Sequence, residues 1–276
     1  MTKLHDQHLH SRFSMDSKAD PRANCLHAID QGLSGLTFTE HYDMHPTERE
    51  SCIWDYAAIS DSVSALREEF SERLTVNLGI EVCYQPDAMP EILDHLQSND
   101  FDLVLLSIHW CGGRPLHVKK AWSGIDHRDA TRTYFETALE AMQCCLNLKN
   151  SDQRAFDVLG HMDLVKRYAR RYWDAFDIHA CEDLVDEIWR TALAADILPE
   201  INTSTLRDRV GEPMPGEWTI GRYVEAGGKV MSMGSDSHRS DHIGTGFDTA
   251  SETLLRAGIK AAAVFTNREM EVVPLA

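Results

Sequence analysis

The chain has 276 residues, of which 43% are hydrophobic and 26% charged, and its formal net charge is −17. This length suits one large α/β domain or two smaller ones, and the acidic balance disfavours a protein that binds long nucleic acid through a broad basic face. The mostly polar N-terminus, the lack of any apolar stretch of about 20 residues and the seven cysteines without a CxxC pair predict a reduced, cytoplasmic protein without a membrane span.

Short apolar runs alternate with longer amphipathic segments along the chain. The sequence predicts strands over residues 4–9, 35–39, 75–82, 102–108, 156–160, 197–202 and 229–235, and an eighth over 261–265. Helices are predicted from Pro21 to near Gly32 and over 128–149 and 182–195, where apolar residues recur every three or four positions. Seven or eight βα units favour a closed or nearly closed α/β barrel over a doubly wound open sheet, because no GxGxxG follows the first strand. We expect residues 1–276 to form a single domain.

Two histidines, His8 and His10, lie two residues apart in the first predicted strand, so both side chains point to the same face. Such a pair is either two hydrogen-bonded polar groups on a wet sheet face or two ligands of one metal ion. Acidic or imidazole side chains stand at the ends of nearly all the predicted strands, the first included: Asp16, Glu40, His41, Glu81, His109, His161, Asp163, Glu200, Asp236 and His238. The carboxyl ends of parallel barrel strands open on one face, so we expect these groups to converge on one pocket. Their number favours a metal site, of which the histidine pair forms half.

These residues resemble the PHP (polymerase and histidinol phosphatase) superfamily, in particular its monofunctional histidinol-phosphate phosphatases. The resemblance rests on the stretches DQHLHSRFSMD, GLTFTEH, LGIEVCY, LLSIHW, VLGHMDLVKRY, PEINTSTLRD and GSDSHRSDHIG, which follow the family's order between residues 6 and 244. It implies a distorted (β/α)7 barrel with three divalent metal ions (Zn, Mn or Fe) at the C-terminal ends of the strands. The amidohydrolases have a similar barrel but usually carry a carboxylated lysine where Glu81 stands here.

Carried over residue by residue, the resemblance implies nine metal ligands: His8, His10, Asp16, His41, Glu81, His109, His161, Asp236 and His238. Glu81 is expected to bridge two ions. The other ligands are expected to divide into His8, His10 and Asp236 on one ion, His109 and His161 on a second, and Asp16, His41 and His238 on the third. Asp16 stands where other members often have His, and a carboxylate slightly favours Mn or Fe over Zn.

The activity implied by the resemblance is hydrolysis of a phosphate monoester, with L-histidinol phosphate preferred, as part of histidine biosynthesis. A metal-bound hydroxide is expected to attack phosphorus in line. Arg207 and Arg167, just beyond strand ends, are expected to bind the phosphoryl oxygens, unless they are ordinary surface arginines. His242 is expected to protonate the leaving alkoxide or contact phosphate, with a surface histidine as the alternative.

Other polar residues at the strand ends have supporting roles or none. Glu40 and Asp163 are expected either to orient neighbouring ligands or to be ordinary loop carboxylates. Glu200 and Asn202 are expected to bind the amino end of a substrate or to cap a loop.

Two departures from the family pattern concern the substrate. Thr205 stands where the family commonly has Gly, and residues 111–128 form a loop long enough to act as a lid. The alternatives are therefore a PHP phosphoesterase for another small phosphate ester or a nucleotide, or a non-catalytic metal-binding module. A module that has lost activity would show gaps in the ligand set, and all nine positions are filled. The sequence makes no prediction of oligomeric state.

Overall fold

The computed structural model describes residues 4–52 and 54–275, so the predicted domain 1–276 includes residues 1–3, 53 and 276 that lie outside the described part. The strands are β1 His5–Leu9, β2 Gly35–Tyr42, β3 Thr75–Cys83, β4 Leu103–Ser107, β5 Trp110–Cys111, β6 Arg114–Pro115, β7 Val158–Leu159, β8 Leu198–Asn202, β9 Met231–Gly234, β10 Ala261–Thr266 and β11 Glu269–Pro274. The helices are α1 Pro21–Asp30, α2 Tyr56–Phe70, α3 Met89–Ser98, α4 His127–Asn150, α5 Val165–Trp173, α6 Glu182–Ala194, α7 Glu217–Glu225 and α8 Phe247–Arg256. Strands and helices alternate, which confirms the predicted α/β class.

The central sheet has nine strands in the order β1-β2-β3-β4-β7-β8-β9-β10-β11, and only β11 is antiparallel to its neighbour. The two ends of the run from β1 to β9 meet through backbone hydrogen bonds. The amide of Asp236 donates to the carbonyl of His8 at 2.7 Å, and that of His10 donates to Ser237 at 2.8 Å. The ring of strands is therefore joined by these bonds and not by a continuous ladder.

The predicted (β/α)7 barrel thus has a distorted form, and β10 is the physical reason. It pairs with Met231 and Ser232 at the start of β9, the place that β1 would take in a closed barrel. The side chain of Gln7 in β1 bonds to β10 instead, donating to the carbonyl of Ala263 at 2.5 Å and accepting from the amide of Phe265 at 2.7 Å. The last parallel strand therefore separates β1 from the first half of β9.

Local sequence explains where the elements begin and end. Pro21 opens α1, and the side chain of Asp20 accepts hydrogen bonds from the amides of Arg22 and Ala23. The chain leaves this helix through Gly32, whose φ of +74° suits glycine. The central strands are apolar because they are covered on both faces, and every residue of Leu103–Ser107 is buried. Every helix in the described part of the chain is too short or too polar to cross a lipid bilayer.

Candidate active site

Glu81, near the end of β3, lies at the centre of a group of histidines. Its carboxylate approaches five imidazole nitrogens: His41 Nδ1 at 2.8 Å, His161 Nε2 at 2.9 Å, His109 Nε2 at 3.3 Å, His8 Nε2 at 3.4 Å and His10 Nε2 at 3.5 Å. The hydroxyl of Ser107 donates a further hydrogen bond to Glu81 Oε1 at 2.6 Å. The histidines lie in or just after β1, β2, β4 and β7, so the sheet order accounts for their meeting at one point.

Two further carboxylates complete the predicted ligand set. Asp236 Oδ1 lies 3.5 Å from His10 Nε2 and 3.6 Å from His238 Nδ1. Asp16 Oδ2 lies 3.0 Å from His238 Nε2 and 3.4 Å from His41 Nε2, and its side chain is half exposed. The structure therefore brings all nine predicted ligands into one cluster. Their roles as ligands stay a prediction.

The donor atoms of this cluster fit divalent metal ions. Four buried atoms of the cluster make no hydrogen bond of acceptable geometry, although side-chain nitrogen and oxygen atoms of their neighbours lie close by. They are His8 Nε2, His10 Nε2, His41 Nδ1 and Glu81 Oε2. Unpartnered buried polar atoms are costly unless another group satisfies them, and these are the atoms that a metal ion would take. Sets of three converging donors include His8, His10 and Asp236; His8, Glu81 and His161; His41, Glu81 and His109; and His10, His41 and His238. Imidazole with carboxylate suits zinc, iron and manganese.

The electrostatics of the cluster depend on how closely the groups are packed. Burial by itself would raise the pKa of Glu81, but the charges of His8, His109 and the other imidazoles lower it well below its usual range. Burial and the like charges of His41 and His238 lower the pKa of His10 to about 3. Glu81 therefore stays ionised and His10 stays neutral at neutral pH. Against the effect of burial, neighbouring carboxylates raise the pKa values of His8, His41 and His109, so a metal ion would have to displace protons from these three imidazoles.

Carboxylates behind the ligands orient three of the histidines. Glu200 Oε1 lies 2.8 Å from His8 Nδ1, and both carboxylate oxygens of Asp43 lie 3.3 Å from His109 Nδ1. Glu40 accepts a hydrogen bond at 2.5 Å from Ser14, whose hydroxyl lies 3.1 Å from His10 Nδ1. Such partners fix the ring orientation and tautomer of a ligating histidine.

The contacts of Glu200, Asn202 and Asp163 decide between the alternatives left open for them. Glu200 is fully buried and bonded to His8, so it does not line the cleft, and Asn202 caps a loop by accepting a hydrogen bond from the amide of Ser204. Asp163 pairs with Lys166 at 3.0 Å and holds the amide of Gly216, so it acts on that loop. The sequence analysis missed Asp43; its position two residues after His41 is the only signal that the sequence carries.

Two of the predicted ligands occupy unusual backbone conformations. His161 has a φ of +24° and Asp236 a φ of +50°, in the left-handed region that non-glycine residues rarely adopt. Such strain persists where surrounding structure enforces it, and it is frequent at functional sites. The hydrogen bond from the His161 amide to Glu200 Oε2, at 2.8 Å, is part of that enforcement.

A cleft of about 460 Å³ lies beside the cluster, and its lining includes seven of the nine predicted ligands: Asp16, His41, Glu81, His109, His161, Asp236 and His238. Arg167 also lines it and donates to the hydroxyl of Ser204 while pairing with Asp208 at 3.3 Å. Glu48, Leu116 and His117 also line it, so two residues of the loop 111–128 contribute to its wall. The cleft thus combines a cationic group with an acidic one beside the predicted metal ligands.

Arg207 and His242 lie elsewhere. Arg207 is behind Asp236: its guanidinium donates to the carbonyl of Ser235 at 2.8 Å, and its Nη1 is buried without a hydrogen bond. His242 is partly exposed in the short 3₁₀ turn Ser240–His242. Neither is among the described residues that line the cleft.

Comparison with known proteins gives the family. A model described as "PHP domain" matches residues 6–204, which is more than two thirds of the chain. The chain belongs to the PHP-domain family. The histidinol-phosphatase of Lactococcus lactis is 26% identical over 98% of this PHP chain and 97% of its own length. The "Probable histidinol-phosphatase" of Clostridium acetobutylicum is 29% identical, covering 92% of this chain and 94% of that protein.

A solved structure supports the fold. Histidinol phosphate phosphatase from Lactococcus lactis, in complex with zinc, L-histidinol and phosphate, superposes with a TM-score of 0.86 at 24% identity, covering 98% of this chain and 99% of that one. At that identity the likeness establishes the PHP fold alone.

The PHP match contains seven of the nine predicted ligands, and Asp236 and His238 follow it in sequence. Backbone hydrogen bonds between β1 and residues 236–237 bring these two into the same cluster.

Proposed function

We propose that this chain hydrolyses phosphate monoesters with bound divalent metal ions, and that its substrate is L-histidinol phosphate, which reacts with water to give L-histidinol and phosphate. The observation that carries the proposal is the Glu81 carboxylate, which five imidazoles surround at the base of a cleft that Arg167 also lines. The names of the curated relatives support the substrate, as does the Lactococcus lactis structure that contains L-histidinol and phosphate. The reaction would belong to histidine biosynthesis.

The nine clustered residues would hold three ions of Zn, Mn or Fe. In this proposal His8, His10 and Asp236 would hold one ion, and these three donors converge in the structure. His109 and His161 would share Glu81 at a second ion, and Asp16, His41 and His238 would hold the third. Bound metal ions would acidify a water molecule to make it a nucleophile near neutral pH and would stabilise charge on the phosphoryl oxygens. Glu200, Asp43 and Ser14 keep the imidazoles aligned for that purpose.

Arg167 binds the phosphoryl group in this proposal. Its guanidinium lies 3.9 Å from Asp236 Oδ2, at the edge of the ligand set, and Ser204 and Asp208 hold it in that position. A planar guanidinium matches two phosphoryl oxygens. Arg207 stabilises the turn that carries Asp236 and supplies positive potential from behind it.

In the reaction, the oxygen of water bonds to phosphorus, the bond between phosphorus and the alcohol oxygen breaks, and the alkoxide takes a proton. We assign that proton to His242, on its sequence position after His238; because His242 does not line the cleft in this structure, the assignment requires the turn Ser240–His242 to move towards the substrate. Burial and the nearby positive charge of Arg207 lower the pKa of His242, which makes its protonated form a stronger acid.

Glu48 is the counterpart for the cationic amino group of histidinol phosphate. Its carboxylate accepts a hydrogen bond from Trp110 Nε1 at 2.6 Å and lies 3.5 Å from His117 Nε2, at the cleft wall. A fixed carboxylate there favours an ammonium-bearing ester over one that carries only a phosphate.

The experiment that tests the proposal is reconstitution of metal-free protein with Zn, Mn, Fe(II) or Co, followed by phosphate-release assays with L-histidinol phosphate and a panel of other esters and nucleotides. We expect bound metal by elemental analysis and a large preference in kcat/KM for L-histidinol phosphate. If another ester is turned over faster, that ester takes the place of L-histidinol phosphate as the proposed substrate. Metal binding without turnover of any ester would indicate a non-catalytic module.

Two wider properties belong to the same proposal. We propose that residues 1–276 form one domain, because a single sheet contains all the strands that carry ligands. We propose a cytoplasmic location because the seven cysteines are unpaired. We propose that the binding partner is a small phosphate ester and that the protein does not bind long nucleic acid.

A further inference from the structure

A second cationic feature lies beside the cleft. A groove of about 430 Å³ is lined by Arg167, Arg170, Arg171, Arg209, Asp208 and Val210. Four guanidinium groups and one carboxylate give this groove a formal charge of 4 − 1 = +3, in a chain whose net charge is −17. The net negative charge of the chain repels a phosphate dianion, whereas this positively charged groove attracts one.

Three neighbouring arginines of the groove lack ion-pair partners. Arg170, Arg171 and Arg209 make no ion pair within 4.0 Å with any carboxylate in residues 4–52 and 54–275. Many exposed arginines elsewhere are paired, such as Arg22 with Glu69, Arg132 with Asp183 and Arg256 with Glu217, and the unpaired Arg73 and Arg128 do not line this groove. Even Arg170, which also borders a small cavity containing Asp177 and Glu212, is not paired with them. The positive charge of the groove is therefore uncompensated.

The groove adjoins the active-site cleft. Arg167 lines both, and Tyr168, whose ring lies 5.6 Å from the Arg171 guanidinium, lines the cleft. Helix α5 explains this arrangement: Arg167 is in its first turn, and Arg170 and Arg171 are in its last. Basic residues also stabilise a helix C-terminus, so an experiment has to separate that structural role from a role in binding.

We propose that this arginine groove is an anion-binding entry subsite, which captures the phosphate group of the ester before it reaches the metal cluster. The inference rests on the proposed phosphatase function. Charges within about one Debye length of the path act on a dianion without any fixed contact, and about 10 Å is that length at 0.1 M salt. The groove then raises kcat/KM at low ionic strength and has no effect on the bond-breaking step.

Three combined variants test the proposal in the metal-loaded enzyme. R170Q/R171Q/R209Q removes the charge, and R170K/R171K/R209K keeps it without the guanidinium geometry. R22Q/R132Q/R256Q is the matched control, because it makes the same change in net charge at arginines paired elsewhere. The measurements are kcat and kcat/KM for L-histidinol phosphate, the Kd of inorganic phosphate by calorimetry, and the melting temperature, from about 0.02 M to about 0.5 M salt.

The glutamine variant is expected to lose about tenfold in kcat/KM and in phosphate affinity at low salt, with kcat unchanged and the loss disappearing at high salt. The lysine variant and the control are expected to stay within about twofold of the wild type at equal salt. A loss that persists at high salt, a lower kcat, a lysine variant as weak as the glutamine one, or a control with the same loss would overturn the proposal.

Failure of the groove and failure of the proposed function give different results. If the metal-loaded wild type turns over no phosphate ester, the proposed function fails. The salt-dependent Kd of inorganic phosphate, compared between the three variants, then decides the groove alone.

Discussion

Replacing Glu200 by Gln tests the predicted metal cluster through a residue that orients His8, without removing a predicted ligand. The carboxylate of Glu200 has three partners: His8 Nδ1 at 2.8 Å, the amide of His161 at 2.8 Å and the side-chain amide of Asn202 at 3.1 Å. All three donate to it when His8 carries its proton on Nδ1, which leaves Nε2 free to bind metal. Gln has nearly the same shape but only one acceptor oxygen.

A glutamine at position 200 cannot accept hydrogen bonds from all three donors. If the Gln oxygen faces His8, its NH₂ group meets the donating amide of His161. If the NH₂ group faces His8, the imidazole has to move its proton to Nε2, the atom that lies 3.4 Å from Glu81. Either arrangement loses a buried hydrogen bond to a charged group, worth about 1.5–3 kcal/mol. Since 1.4 kcal/mol corresponds to a factor of ten, we expect metal affinity to fall about 10- to 100-fold, which matches other substitutions behind metal-bound histidines.

The assay is chelator competition for the metal ions, combined with kcat/KM for L-histidinol phosphate and the melting temperature of the metal-loaded protein. E217Q is the matched control, because Glu217 makes an exposed ion pair with Arg256 at 3.0 Å on another part of the surface. Unchanged metal affinity in E200Q, with kcat/KM within about twofold of the wild type, would refute the reasoning.

Three further predictions follow from other contacts. In E48Q we expect KM for L-histidinol phosphate to rise about tenfold with kcat unchanged, and KM for an ester without an amino group to stay the same; steady-state kinetics checks this, and equal effects on both esters would contradict it. Removal of metal by a chelator is expected to lower the melting temperature by about 10 °C in calorimetry, because ions bind the folded cluster only, whereas an unchanged melting temperature would contradict a structural role for them. Burial lowers the pKa of His5 to about 4, so its stabilising neutral form is fully present above the unfolded pKa of 6.5 and its contribution is lost as pH falls towards 4. At pH 5 that loss amounts to about 2 kcal/mol, and urea unfolding of wild type and H5Q from pH 4 to 7 checks it; parallel pH curves would exclude it.

Much of the fold is predictable because strand and helix signals are local. The first helix begins at Pro21 as expected, and the helices predicted over 128–149 and 182–195 occupy His127–Asn150 and Glu182–Ala194. The eighth predicted strand, 261–265, is β10. The strand β11 was not predicted, because its turn uses Asn267 and Arg268 with φ of +51° and +62° instead of the usual Asn-Gly. Its alternating Glu, Met and Val residues lie on an exposed edge, where no buried face produces a periodic signal.

The clustering of the nine predicted ligands was predictable for a similar reason. Each of them comes at or just after the end of a strand, and parallel order brings those ends together. The carboxylates behind them were harder to assign, because their partners lie far away in sequence. Glu200 contacts His8 across 192 positions, and Asp43 contacts His109 across 66, and no local pattern encodes either pair.

Thr205 shows how a departure from the family pattern acts at a distance from the chemistry. Its side chain does not line the cleft, so it does not narrow the pocket directly. Its hydroxyl donates to the carbonyl of Glu212 at 2.6 Å, and its own carbonyl accepts the amide of Gly211 at 3.2 Å, which closes the loop that carries Asp208. Asp208 in turn pairs with Arg167 at the mouth of the cleft. The buried strand ends therefore determine which side chains meet in the cluster, whereas a loop closed by Thr205 determines where Arg167 lies, and in the proposed function the substrate preference would depend on such loops.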